Sequence, residues 1–481
     1  MRYGLVERRR RAVARIALYS SLMLVGGAVL AARHLLHLPV ARGPETDWFG
    51  VDWNAKLPVR VLSQYLRVDT TAATGDELAA ALWLSTPLEA AGIPVHIERV
   101  GKHANLWAEL PGDDPDALVL LSHLDVEPVA DLAEWEHAPF AGVVDPPYIH
   151  GRGSFDMKSY TVAQLLALLE LKARHPRPRR SVVLIATAGE ESGSDFGTRW
   201  LLHRHPELFG RVFVVLTEGG IVEARSLDNI KYWGIEVGQK RFAELLACAP
   251  SRERLTQLGQ DIVSFSFRST GLEVDPEVRR FWEGYRSSRD LDDLRQMLAD
   301  PDRLVRDPAR FLDLPGYLKS MLRNEVVPFP PEPSPGGGWQ MRLLVHLLPS
   351  ADLAAARREL LPPWMTAGVS FAERTPPPSS AISPVDHVVV RAIQDEIERK
   401  YGRRVAGPYF LPWSATDSRF LRPLGIAAYG FTPFLLFSPE TQRMGHTNEK
   451  ISLPGLTQGV DLYSHVVERI AMVTDKSRQQ P

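Results

Sequence analysis

The stretch SVVLIATAGEESG, from Ser181 to Gly193, constrains this chain more than any other. Ser181 to Thr187 is a short apolar run rich in β-branched residues and reads as a buried strand. It stops at Gly189 and delivers two adjacent carboxylates, Glu190 and Glu191, at its carboxyl end. In α/β sheets that end is where ligands bind. Neighbouring residues at a strand end point in different directions, so one glutamate can hold a metal while the other works as a base. An isolated Glu-Glu pair is usually an acidic turn on a solvated edge, so the rest of the chain decides between the two readings.

Two further apolar runs behave in the same way. Ala117 to Ser122 reads as a buried strand and ends in His123-Leu124-Asp125; Val212 to Leu216 ends in Thr217-Glu218. Helical periodicity follows at Val162, Leu165, Leu166, Leu168 and Leu169, then around Thr198 to His203, Val385 to Tyr401 and Leu453 to Ala471. Strands alternating with helices predict an α/β domain with a mostly parallel central sheet. Asp156 and His446 lie in loops of the same domain. Hard carboxylates mixed with imidazoles suit zinc, or manganese or cobalt. Asp125, two residues beyond His123, has the reach to accept that ring's second N–H. The single cysteine, Cys248, excludes an intramolecular disulfide framework and a cysteine-rich metal site. His103, His137, His150, His203 and His205 show no partner pattern and are expected to be non-ligands.

With 481 residues the chain exceeds one compact core. The expected division is a basic segment and membrane anchor over 1–40, a catalytic domain over 45–240 and 375–475, and an inserted α+β domain over 241–372. Within the insert, Val263 to Phe267 alternates weakly and 275–325 is charged and helical. Residues 327–338 read as a Pro/Gly-rich connection, and Met341 to Leu348 as a strand. A net charge of −2 gives no support for nucleic-acid binding. Arg8 to Arg11 precede an uncharged stretch, residues 16–32, at the lower limit for spanning a bilayer. That order predicts a membrane-anchored protein with its catalytic domain outside the cytoplasm. The alternative is a secreted or periplasmic protein, cleaved after Val29-Leu30-Ala31.

Taken together, SHLDVEP, GRGSFDMK, ATAGEESGS, TEGG, TDSR and GHTNEK resemble, in order and approximate spacing, the M20 di-zinc metallopeptidases and aminoacylases. The nearest branch is the carboxypeptidase S and N-acyl-amino-acid hydrolase group. The resemblance covers about residues 55 to 240 and 380 to 475. It implies a pair of zinc ions, with His123 on one, His446 on the other, Asp156 bridging and Glu191 completing the second. Glu190 would be the general base, and the Asp156–Met157 peptide would be cis. Where the branch usually reads DEGG, this chain has Thr217-Glu218-Gly219-Gly220, so Glu218 is expected to take the remaining ligand position.

The lid matches least. Family lids carry a histidine that stabilises the oxyanion, often across a dimer, whereas residues 241–255 contain none. His346 stands where the family has an arginine and is a candidate replacement donor. Arg252 and Arg254 occupy the region of the missing histidine, and Arg419 resembles a position near the substrate carboxylate. The resemblance therefore implies hydrolysis of a peptide or N-acyl-amino-acid amide beside a free carboxylate, with a homodimer possible. The alternative is a catalytically impaired, metal-binding relative acting as a binding or scaffolding protein.

Overall fold

The computed structural model describes residues 50–473 apart from 72–75, 227–228, 267–271, 277, 280, 284–299, 308–310, 312–313, 315, 376–380, 403–404, 437–439 and 441–442. The anchor expected over 16–32 lies outside the described residues. Among those residues, no helix is long and apolar enough to cross a membrane.

Strands are numbered here in chain order. The first five are β1 (Val95–Val100), β2 (His103–Leu110), β3 (Asp114–His123), β4 (Val143–Asp145) and β5 (Tyr148–His150). Then come β6 (Arg180–Thr187), β7 (Val212–Thr217), β8 (Ile221–Ser226), β9 (Asn229–Gln239) and β10 (Arg241–Ala249). The remainder are β11 (Glu325–Pro328), β12 (Glu332–Pro333), β13 (Trp339–Leu347), β14 (Ser370–Thr375), β15 (Ala406–Leu411), β16 (Ala428–Gly430) and β17 (Lys450–Ser452).

A nine-stranded sheet runs β1-β2-β6-β3-β7-β16-β9-β15, with β8 paired to β9. Its centre is parallel: β6 on β3, β3 on β7, and β7 on β16. The flank is more mixed than the expected mostly parallel sheet, since β1–β2, β2–β6 and β16–β9 are antiparallel. Gly101 and Lys102 explain the first of these, because two residues allow a hairpin but no crossover. β6 is buried along its whole length, as its uninterrupted apolar run requires. The helix Lys158–Arg174 covers this layer and packs against the last helix, Leu453–Met472.

The segment 241–375 builds a second, five-stranded sheet, β11-β13-β10-β14, with β12 paired to β13. It has its own core, in which Leu245, Leu343 and Val345 pack on Leu255 and Leu258. Two sequence expectations fail here. Val263 belongs to the helix Arg252–Ser266, whose Leu255, Leu258 and Ile262 recur at helical spacing and outweigh the weak alternation. The Pro/Gly-rich connection contains β11 and β12; Pro328 and Pro333 sit at strand ends, where no ladder donor is needed. A third sheet, β17-β5-β4, joins the segment before Asp156 to the segment after His446.

Candidate metal centre

Parallel neighbours align their carboxyl ends, so three strand ends meet. His123 pairs with Thr187, and Leu120 with Leu216, which places the residues after β6 and β7 beside His123. After β6 the chain turns at Gly189 in the left-handed region (φ 64°), which glycine adopts without steric cost. A one-turn helix, Glu190–Ser192, then presents the two glutamates. Gly197 closes this turn tightly, because a Cβ there would collide with the Ala188 carbonyl oxygen.

The side chains converge. His123 Nε2 lies 3.3 Å from Asp156 Oδ1 and 3.7 Å from Glu218 Oε2. Two trios have donor atoms all within 4.8 Å of one another: His123, Asp156 and Glu191, and His123, Glu190 and Glu218. His123 Nε2 and one oxygen of Glu191 are buried without a hydrogen-bond partner. Buried polar atoms are rarely left so, and both of these belong to one trio of residues that could hold a metal ion. The residues therefore fit a metal centre. The Asp156–Met157 peptide is cis, as expected.

The electrostatics agree. Burial drives the Glu191 carboxyl up to about 11, with Asp156 adding to it, and drives Glu218 up to about 7. Glu190 is also raised well above the usual carboxylate range by burial, against the pull of Arg419. Burial alone would lower the His123 imidazole, but Glu218, Asp125 and Asp156 outweigh it and hold it well above its ordinary value. So many acids in one low-dielectric pocket are short of positive charge, the deficit that a bound cation removes.

Asp125 does something other than expected. His123 Nδ1 bonds the backbone carbonyl of Asp125 at 2.9 Å, while the carboxylate stands 3.6 Å away. That carboxylate instead accepts the amide N–H of Glu190 (2.9 Å) and of Glu191 (3.0 Å). The carbonyl fixes the ring and the carboxylate fixes the turn bearing both glutamates.

Arg419 pairs with the acid cluster: Nη2 lies 3.2 Å from Glu190 Oε1 and 3.7 Å from Asp417 Oδ1. His346, on β13, is buried edge-on to Phe242 and joins neither trio. Burial, then the charge of Lys240, lowers its pKa to about 4, so the ring is neutral at physiological pH. His446 also stands outside both trios; its side chain is exposed, and its backbone carbonyl accepts Arg152 Nη1 at 3.2 Å. Arg252 lies over the Trp339 ring and Arg254 donates to the carbonyls of Met365 and Ala367, so both are tied to the second sheet's own packing. His103 bonds Glu77 at 2.9 Å and His205 bonds Glu98 at 2.6 Å.

Sequence reasoning missed two buried glutamates that hold the site's backbone. Glu449 accepts Arg152 Nη1 (2.8 Å) and the amides of Gly153 (3.1 Å), Phe155 (2.8 Å) and Asp156 (3.1 Å). Glu77 accepts the amides of Gly189 (3.1 Å) and Ala104 (3.3 Å). The signal for Glu449 was its place in GHTNEK; Glu77 sits at the start of a helix with no motif around it.

A region of 100 residues is 37% identical to succinyl-diaminopimelate desuccinylase of Marinobacter nauticus, spanning 21% of this chain and only 26% of that protein. Aminoacylase-1A of Rattus norvegicus is 24% identical over 433 residues, covering 86% of this chain and 95% of that protein. Human carnosine dipeptidase 1 superposes with a TM-score of 0.66 at 14% identity, covering 86% of this chain and 96% of the other, a likeness of fold. The model of peptidase family M20/M25/M40 matches residues 119–469, which include His123, Asp156, both glutamates of the β6 turn, Glu218 and His446. The chain belongs to the peptidase family M20/M25/M40.

Proposed function

We propose that this chain, a member of a family of metal-dependent hydrolases, cleaves a peptide or N-acyl-amino-acid amide bond next to a free carboxylate. The observation that carries the reading is the convergence of Asp156, Glu191, Glu218 and Glu190 on His123 in two trios, with His123 Nε2 and an oxygen of Glu191 buried and unbonded. His123, Asp156 and Glu218 would hold one zinc ion, and Asp156 and Glu191 a second. His446 would complete the second position; the 445–449 loop that carries it also holds the Asp156 segment through Glu449. When bound, such a pair of ions activates a water and polarises the scissile carbonyl.

The chain's own residues do the rest. Glu190 accepts the proton of the attacking water and returns it to the leaving nitrogen. Asp125 keeps Glu190 and Glu191 in register, and Glu449 keeps Asp156 in place. Relatives named for acylated amino acids and a dipeptide support the substrate class. The basic cluster before residues 16–32 supports a site of action outside the cytoplasm, which protease protection of the full chain in vesicles tests.

A panel of dipeptides and N-acyl amino acids, assayed with and without chelator, tests the function. Turnover should vanish on chelation and return with zinc. Glu190→Ala should lower kcat by about 10²–10⁴ with zinc content unchanged. Full activity in Glu190→Ala, or zinc-loaded protein with no turnover on any member, defeats the reading.

A further inference from the structure

The sequence offers no pattern linking His137 to His150, and both are expected there to be non-ligands. The fold places them together. β4 and β5 form an antiparallel hairpin in which Val143 pairs with His150 and Asp145 with Tyr148. Residues two apart on a strand share a face, so Asp145 and His150 are diagonal neighbours on one side of the hairpin, within reach of long side chains. His137 comes over that side from the preceding loop. Its Nε2 lies 3.7 Å from Asp145 Oδ2, and its ring centroid 4.4 Å from that of His150, tilted by 55°. Ligand atoms of all three lie within 4.8 Å of one another. Ligands about 2 Å from a tetrahedral zinc stand about 3.3 Å apart, so small side-chain rotations close the set.

We propose that His137, Asp145 and His150 form a further zinc-type cation site, outside the catalytic cluster, that clamps the loop carrying His137 onto the β4–β5 hairpin. Two imidazoles and a carboxylate, with a water in the fourth position, are a donor set zinc accepts. Burial is graded as ion entry requires: His150 is buried, His137 half-buried, and Asp145 exposed. Lys450, which pairs with His150 across the sheet, stacks its Nζ over the Tyr148 ring, 4.5 Å from the centroid.

The clamp has a mechanical consequence. The Glu136 amide donates to Asn448 Oδ1 at 2.7 Å, and Asn448 Nδ2 to the Glu134 carbonyl at 3.2 Å. Arg152, which reaches Glu449, lies over the Trp135 ring at 5.3 Å. An ion at this position stiffens the wall on which Arg152 and the 446–449 loop both rest.

The test uses the full chain, stripped with chelator, reloaded with zinc chloride, desalted and analysed for metal. In a His123→Ala/Glu191→Ala background, which disables the catalytic cluster, about one zinc per chain should remain bound. It should be lost on adding Asp145→Ala, or His137→Ala with His150→Ala. Asp145 is 63% exposed, so its truncation leaves the fold intact. Cobalt(II) in the background variant should give the strong visible absorption of a tetrahedral site, absent with Asp145→Ala. Zinc content unchanged by both sets of substitutions, or no zinc held by a background variant that circular dichroism shows to be folded, overturns the proposal. In otherwise wild-type protein, Asp145→Ala should remove one zinc equivalent, and removal of none overturns it equally.

Discussion

Arg419 Nη2 stands 3.2 Å from Oε1 of Glu190, so the proposed base is paired with a fixed cation from a separate element, the short helix Ser418–Leu421. Burial raises the Glu190 pKa and Arg419 pulls it down. Arg419→Met removes the downward pull, and only the ionised carboxylate can take a proton. The acid limb of the kcat/KM profile should therefore move to higher pH, by on the order of one pH unit. A limb that stays in place while KM rises would assign Arg419 to the substrate instead.

Asp125 offers one oxygen to each glutamate amide. Asp125→Ala leaves both N–H groups without that acceptor and frees the turn. Zinc affinity should fall by about 10–100-fold, with kcat falling in step. Competition against a chromogenic chelator measures the first and a saturation curve the second. Retained affinity with unchanged kcat would remove Asp125 from the site's support.

Glu449 is the acceptor for four donors in the Arg152–Asp156 segment. Glu449→Gln keeps the volume, but its NH₂ faces donors and strips the buried Arg152 of its countercharge. A loss of about 3–5 kcal/mol is expected from breaking a buried pair on one side. Urea unfolding monitored by tryptophan fluorescence reads this directly, and a loss below about 1 kcal/mol would contradict it.

Glu325 receives Lys240 Nζ at 2.9 Å, Ser320 Oγ at 2.8 Å and Arg323 Nη2 at 2.9 Å. Burial works to raise its pKa, but Lys240 and the other donors hold it down at about 2, below the unfolded value of 4.5. Between those values the unfolded chain binds the proton and the folded chain does not. The pair's stabilisation is therefore complete above pH 4.5 and drains away as the pH falls toward 2. From pH 6.5 to 4.0 the wild type should lose about 1 kcal/mol more than a Lys240→Met/Glu325→Leu double variant. Equal losses in the two proteins would refute the linkage.

The candidate cluster was legible because its residues sit at the ends of strands that apolar composition alone reveals: His123 at the end of β3, Glu190 and Glu191 after β6, Glu218 after β7. The role of Asp125 was misassigned because proximity in sequence favoured the ring over the turn, and only the register of β3 on β6 shows that its carboxylate meets the Glu190 and Glu191 amides. Glu77 was invisible for a related reason. Its partners Ala104 and Gly189 are 27 and 112 positions away, and no periodic pattern encodes such a bond. His137 and His150 share that fate, since His150 lies on a three-residue strand of ordinary composition and His137 reaches it from a loop. The helix over Arg252–Ser266 was hidden because a five-residue window resolves alternation but not a 3.6-residue repeat.

The bonds from Glu449 to Gly153, Phe155 and Asp156 span more than 290 positions. During synthesis the ribosome releases the Asp156 loop long before its anchor exists. A nascent chain that already displays β3, β6 and β7 still lacks the acceptor that seats the Asp156 segment. A chain cut short before Glu449 should therefore carry an unseated Asp156 segment, whatever the state of its strands.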